Sequence, residues 1–248
     1  FTVESIMTPR QELLTWEEGT DRSAVEQLAR EGTFDLIPVI RDNRIVAVWS
    51  RSERGVPEAL AAEWLVSCDT GIPDLLTLFV ECQRPGLLVL RGQEVVGIVT
   101  PADLNKIPAR VYFYHLIGEL ELALAAPLRR AFGDDPKALL ELLSDGRRRE
   151  IGQQVEEMTE GDVHVDLVQR LYLSDFLNLI AKRKHLRANL GFSSRKKAEE
   201  AFSGLVDLRR RTMHPVRPLL ERAPDDVQSL HRRVKRAQEL LDRLEGLS

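Results

Sequence analysis

The stretch LRRRTMHPVRP, residues 208–218, sets Arg209, Arg210 and Arg211 side by side, with His214 three residues on and Pro215 directly after it. Arginine offers phosphate oxygens a planar fork that is always charged. Histidine takes up and returns a proton near neutral pH. Cutting an RNA strand needs both: a 2′-hydroxyl deprotonated, a leaving 5′-oxygen protonated, and the charge on a phosphorane stabilised. On a continuous helix, residues five apart are separated by about 140°, so helix geometry alone does not put Arg209 and His214 on one face. Pro215 ends the helix at His214, because the residue before a proline leaves the α region. That end can turn the imidazole back toward Arg209. The alternative is a solvated basic face whose histidine bonds the last helix carbonyls.

A second place with chemistry is GIVTPADL, residues 97–104. A threonine at the end of a strand offers a hydroxyl and free backbone N–H groups to an anion. An aspartate three residues later can accept two hydrogen bonds from a vicinal diol. Thr100 and Asp103 are also what a capping box requires, as N-cap and N3 acid, and both readings stay open. The same spacing recurs at Ser50 and Glu53, with a longer acid. Arg51 and Arg54 beside them face either a phosphate or solvent. His115, His164, His185 and His231 are scattered without a carboxylate at ligand spacing, and no Walker loop, dinucleotide fingerprint or serine-nucleophile elbow is present. A catalytic metal is not expected.

These residues need elements to position them, and the first of those repeat. LIPVIRDNRIVAVWSRSE (36–53) and GLLVLRGQEVVGIVTPAD (86–103) align without a gap at an offset of fifty. Each reads as strand, tight turn, strand and helix start, with Asp42-Asn43 and Gly92-Gln93 at the turns. A helical pattern precedes each hairpin: Ala24, Val25, Leu28 and Ala29, then Leu75, Leu76, Leu78 and Phe79. One such unit cannot bury its sheet alone, whereas two stacked face to face can. Trp16, Trp49 and Trp64 all fall in this half and read as core or dimer contacts.

After Pro108 the period of two gives way to helical spacing. Helices are expected over 109–133, 135–144, 147–158, 165–186, 193–214 and 223–247, with 147–158 exposed and Ser193 or Ser194 as a cap. Four or more long helices with short connections make an up-down bundle. Glu119 or Glu121 on its first helix is placed to pair with Arg209 or Arg211. The runs KRKHLR (182–187) and RKK (195–197) are either exposed helix ends or a track for an RNA backbone.

Charge divides with the elements. Residues 1–107 carry ten Lys and Arg against seventeen Asp and Glu, net −7, and residues 108–248 carry twenty-five against twenty-two, net +3. A polyanion therefore has its better chance in the second half. Cys68 and Cys82 sit in apolar surroundings and suggest a reduced, cytoplasmic protein without disulfides or a thiolate metal site. No apolar run approaches eighteen residues, so no membrane span is expected. The chain opens at Phe1, which is read as a trimmed N-terminus.

The repeat resembles a pair of cystathionine-β-synthase-type (CBS) modules, with VESIMTPR (3–10) as the opening and GIVTPADL as the close. The resemblance covers about 1–107, in repeats of about 1–56 and 57–107. It implies an adenosine-containing ligand between the modules: AMP, ATP or an adenine dinucleotide. Thr100 would contact phosphate and Asp103 the ribose, with Ser50 and Glu53 as a second site. Residues 108–248 resemble the helical HEPN superfamily, through LIGELELAL, LYLSDFLNLI and the Arg-x4-His spacing of Arg209 and His214 followed by proline. That resemblance implies a dimeric, metal-independent endoribonuclease with Arg209 and His214 catalytic and Arg210 and Arg211 on RNA phosphate. Arg210 stands where family members often carry asparagine, which leaves RNA binding without cleavage as an alternative. The expected fold is thus an α+β tandem CBS pair of β-α-β-β-α repeats followed by an all-α, HEPN-like up-down bundle. The expected function is a prokaryotic nucleotide sensor, of defence or toxin-like type, that gates a ribonuclease. The alternative is a non-catalytic sensor whose bundle only dimerises or binds a partner.

Overall fold

The computed structural model describes residues 1–32, 34–51, 56–133, 136–159, 166–222 and 225–246. The chain divides into two compact units, Phe1–Tyr112 with Val216–Arg232, and Phe113–Pro215 with Arg233–Ser248. The division is therefore not a single cut near residue 107. The segment after Pro215 returns to the first unit. There Asn105 Oδ1 accepts from the N–H groups of Leu219 (2.6 Å) and Leu220 (3.1 Å), and His231 Nε2 lies 3.2 Å from Thr77 Oγ1.

In the first unit the two repeats build matching elements. The first contributes β1 (Thr8–Pro9), β2 (Trp16–Glu17), α1 (Arg22–Glu31), β3 (Leu36–Arg41) and β4 (Arg44–Ser50). The second contributes β5 (Glu58–Ala59), β6 (Leu65–Ser67), α2 (Ile72–Cys82), β7 (Leu87–Arg91) and β8 (Glu94–Val99). Both hairpins close through the two-residue turns expected. Asp42 and Asn43 take φ of 48° and 59°, and Gly92 takes 61°. Each hairpin even shifts register at the equivalent place, after Val39 and after Val89.

The sheets do not follow the repeats. One runs β1-β8-β7-β6 and the other β2-β3-β4-β5, so each repeat lends its first short strand to the other's sheet. Thr8 faces Ile98 and Pro9 faces Gly97, while Ala59 faces Ala47. Gly97 permits this exchange. A Cβ there would stand 2.5 Å from the Thr8 carbonyl oxygen and 2.9 Å from Met7 Sδ.

The faces between the two sheets form one core, in which Leu36, Ile45 and Val48 meet Trp64, Leu88 and Ile98. Each apolar side chain buried this way contributes roughly 1.5–3 kcal/mol. The other face of the β2-β3-β4-β5 sheet packs Ile37, Val39, Trp16 and Trp49 with Ala29 of α1. All three tryptophans are thus core residues.

The second unit is helical. Its helices are α3 (Ile107–Phe132), α4 (Pro136–Glu141), α5 (Asp145–Thr159), α6 (Leu173–Lys182), α7 (Lys184–Asn189), α8 (Arg195–Phe202), α9 (Leu205–Met213) and α10 (Asp225–Glu245). The first and last each extend into both units. As expected, α3 carries Pro127 near its end and stops at Gly133, and Ser194 caps α8 by accepting from Lys197 N–H at 3.2 Å.

Two expected helices are broken. The span 165–186 becomes a 3-10 turn (Leu167–Arg170), then α6 and α7, because Tyr172 and Arg183 take extended backbone. Asp175 enforces the first break by accepting from Tyr172 N–H at 2.9 Å. The span 193–214 breaks at Gly204, whose φ of +85° disfavours any residue with a side chain. The bundle therefore holds two long helices and several short ones among the described residues, rather than four long ones. Nor is α5 simply exposed. Ile151 is fully buried, and Arg147 bonds Asp175 at 3.0 Å while stacking 3.9 Å from the Tyr172 ring. No described helix is long and apolar enough to cross a membrane.

Candidate functional site

A cleft of about 550 Å³ opens in the first unit. Its walls come from both repeats. Leu36 and Pro38 of β3 face Ile98 of β8, and the turn that follows β8 adds Thr100 to Asp103. Phe34, half exposed, offers an aromatic ring at the rim, and Leu13 and Leu14 extend the apolar wall.

Thr100 ends the second hairpin because Pro101 starts a 3-10 helix, Pro101–Asn105. Asp103 is nearly buried, at 7% exposure. Its Oδ2 accepts from Thr100 N–H (2.6 Å) and Oγ1–H (3.0 Å), and its Oδ1 faces Lys106 Nζ at 2.8 Å. The pair forms the capping box, and both residues also line the cleft. A carboxylate has about four acceptor positions, so this one keeps capacity for a further donor. One expectation is corrected. Thr100 does not offer free donors to an anion, because its N–H and hydroxyl both bond Asp103 and Pro101 has no N–H.

Ser50 ends β4, at 1% exposure. Glu53 and Arg54 lie outside the described residues. Arg51 is a positioning residue of the cleft wall. Its Nη2 donates to the carbonyls of Ala29 (2.6 Å) and Phe34 (3.0 Å), and its Nε lies 3.5 Å from Asp35. The cleft residues that sequence reasoning missed include Phe34 and Arg84. They stand fifty apart, each two residues ahead of the aligned stretch of its repeat, so the same offset extended by two residues pairs them. Arg84 stacks 4.2 Å from the Trp64 ring and bonds Glu58 (3.2 Å) and Glu63 (2.6 Å).

In the second unit α9 carries the basic cluster. Arg209 Nε donates to Glu121 of α3 at 2.6 Å, the cross-helix pairing expected. Glu119 faces His115 instead, 3.1 Å away on the same helix. Arg210, Arg211 and Arg233 all converge on Asp207, at 2.5, 3.1 and 2.6 Å. Burial pushes the Asp207 carboxyl up, but the Arg210 hydrogen bond and the charges of Arg233, Arg211 and Arg210 outweigh it and hold it below the usual range. His214 is exposed at the C-terminal end of α9, with φ −110° and ψ 87°. Among the described residues no hydrogen bond links it to Arg209. Between them Thr212 is buried, its hydroxyl unpartnered.

Glu4, Cys68 and Asp69 bring ligand-type atoms within 4.8 Å of one another. Arg91 bonds Glu4 there, and Cys68 and Glu4 both raise its pKa.

No protein-family model matches this chain, and no curated protein matches it. Several solved structures are similar to part of it. One is CBSX2 in complex with AMP, 20% identical, with TM-score 0.40, covering 45% of this chain and 97% of that one. Another is the CBS-pair protein CBSX2 from Arabidopsis thaliana, 22% identical, with TM-score 0.38, covering 45% and 96%. A third is the CBS domain of the bacterial CNNM/CorC family Mg2+ transporter in complex with ATP, 23% identical, with TM-score 0.34, covering 42% and 83%. Each of these three covers less than half of this chain.

Proposed function

We propose that the protein is an adenosine-nucleotide sensor, with the first unit binding the ligand and the helical unit carrying the output. The cleft carries this reading. Its volume of about 550 Å³ suits a nucleoside-sized molecule. An apolar wall and the Phe34 ring suit a purine, and the buried Asp103 carboxylate suits a ribose diol. AMP, ATP and adenine dinucleotides are the candidate ligands. Regulation follows only if the ligand binds two arrangements of the protein with different affinity. The double variant Thr100→Val/Asp103→Ala, titrated by calorimetry, is expected to lose about 10- to 100-fold in affinity, the cost of hydrogen bonds to a charged acceptor. Asp103→Asn, which keeps the cap geometry, should fall between that variant and the parent. Unchanged affinity in both sinks the assignment.

A ribonucleolytic output is the second reading. One observation favours it: Glu121 orients the Arg209 guanidinium by its Nε, which leaves the two terminal amino groups for a phosphate. His214, exposed at the end of the same helix, would move the proton, and a second copy of the chain would complete the cleft. Purified protein incubated with mixed RNA in chelator should cleave it. His214→Ala should lower the rate by at least about 100-fold, the scale of a lost general acid-base group. Cleavage that persists at the parent rate in the variant removes His214 from the reaction. No cleavage by the parent favours a helical unit that only docks a partner.

A further inference from the structure

We infer that the cleft sorts adenosine ligands by charge, with affinity falling for each phosphate added at the 5′ position. The inference rests on the cleft being an adenosine site, and it names the ligand class that site prefers.

The lining carries three acids, Glu12, Asp35 and Asp103, against a single cation, Arg84, among the described residues. That cation is already engaged by two carboxylates, Glu58 and Glu63. The other cations that bond lining residues are engaged in the same way. Arg51 faces Asp35, and Lys106 faces Asp103 while donating to the Ile6 carbonyl at 2.7 Å. Glu12 is exposed and has no ion pair among the described residues. Counting the acids that hold Arg84, five carboxylates stand against three cations in and around the cleft.

Backbone donors do not compensate. The N–H and hydroxyl of Thr100 are bonded to Asp103, and Pro101 has no N–H. Asp103 N–H bonds the Thr100 carbonyl, so among the described residues the turn keeps the N–H of Ala102, a single donor rather than the converging set that a phosphate needs. A cleft with an excess of one sign of charge disfavours ligands of that sign relative to neutral or oppositely charged ones. A neutral nucleoside keeps the apolar wall, the ring and the diol acceptor at no electrostatic cost. A triphosphate brings up to four negative charges to the same walls.

The test is a titration series on the full chain in chelator at low salt: S-adenosylmethionine, which is cationic at its 5′ end, then adenosine, AMP, ADP and ATP. Affinity is expected to fall along that order, with adenosine at least about tenfold tighter than metal-free ATP. The gap should shrink at high salt, where the Debye length drops to about 3 Å at 1 M. Glu12→Lys should raise the ATP-to-adenosine affinity ratio severalfold. ATP binding as tightly as adenosine, or more tightly, overturns the charge rule and leaves the adenosine site standing. A ratio that Glu12→Lys does not move also overturns it. If no compound in the series binds, the adenosine reading itself fails, and the charge rule falls with it.

Discussion

Trp64→Ala is expected to destabilise the first unit by about 3–5 kcal/mol, the range for emptying a fully buried aromatic site. At that size the unit's Tm should drop by about 10–20 °C. Trp64 is fully buried and touches the inner faces of both sheets. Its truncation removes contacts from both repeats and opens a void that neither sheet can close alone. It also strips Arg84 of the ring beneath it and Glu58 of the indole N–H, which donates at 3.1 Å. The cleft wall at Arg84 should loosen, so ligand affinity should fall along with stability. Thermal and urea melts of the variant check the first part, and calorimetry the second. A loss below about 1 kcal/mol would mean that the two sheets do not share this core.

Gly97→Ala should have the next largest effect. The added methyl would meet the Thr8 carbonyl at 2.5 Å and Met7 Sδ at 2.9 Å. The sulfur can swing away, but a strand carbonyl can yield only if β1 leaves the sheet. Overpacking of this kind costs about 1–3 kcal/mol. Because Thr8 lines the cleft, ligand affinity should weaken as well. Hydrogen exchange is the direct readout, with protection lost at Thr8, Gly97 and Ile98 and kept across β3 and β4. A variant with parental exchange at those amides would mean that β1 does not depend on the bare glycine.

Both predictions concern the contact between repeats, which the sequence describes least well. The fifty-residue period, the two hairpins with their turn residues, and Thr100 with Asp103 were all readable, because each depends on neighbours within a few positions. Alternation marks a half-buried strand, and Asp-Asn or Gly at a two-residue turn supplies the positive φ that the turn demands. Phe34 and Arg84 were missed although the same offset pairs them. They precede their strands, where no periodicity singles a residue out. Glu12 and Asp35 carry no local pattern that singles them out, and only the packing of the two repeats places them around one cavity.

The sequence by itself determined the two hairpins of the first half, the helix ahead of each, where the chain turns, and which residues cap the end of the second hairpin. These follow from backbone sterics, side-chain period and hydrogen bonds between near neighbours. Tertiary structure alone decided the exchange of β1 and β5 between repeats, since two similar hairpin edges offer nearly the same backbone partners and packing at Gly97 and Ala59 selects between them. It also decided the return of Val216–Arg232 to the first unit, and which of the two candidate acids, Glu119 or Glu121, meets Arg209 from eighty-eight residues away. Contacts at that separation depend on which surfaces meet once the helices have packed, and no local pattern encodes which surfaces those are.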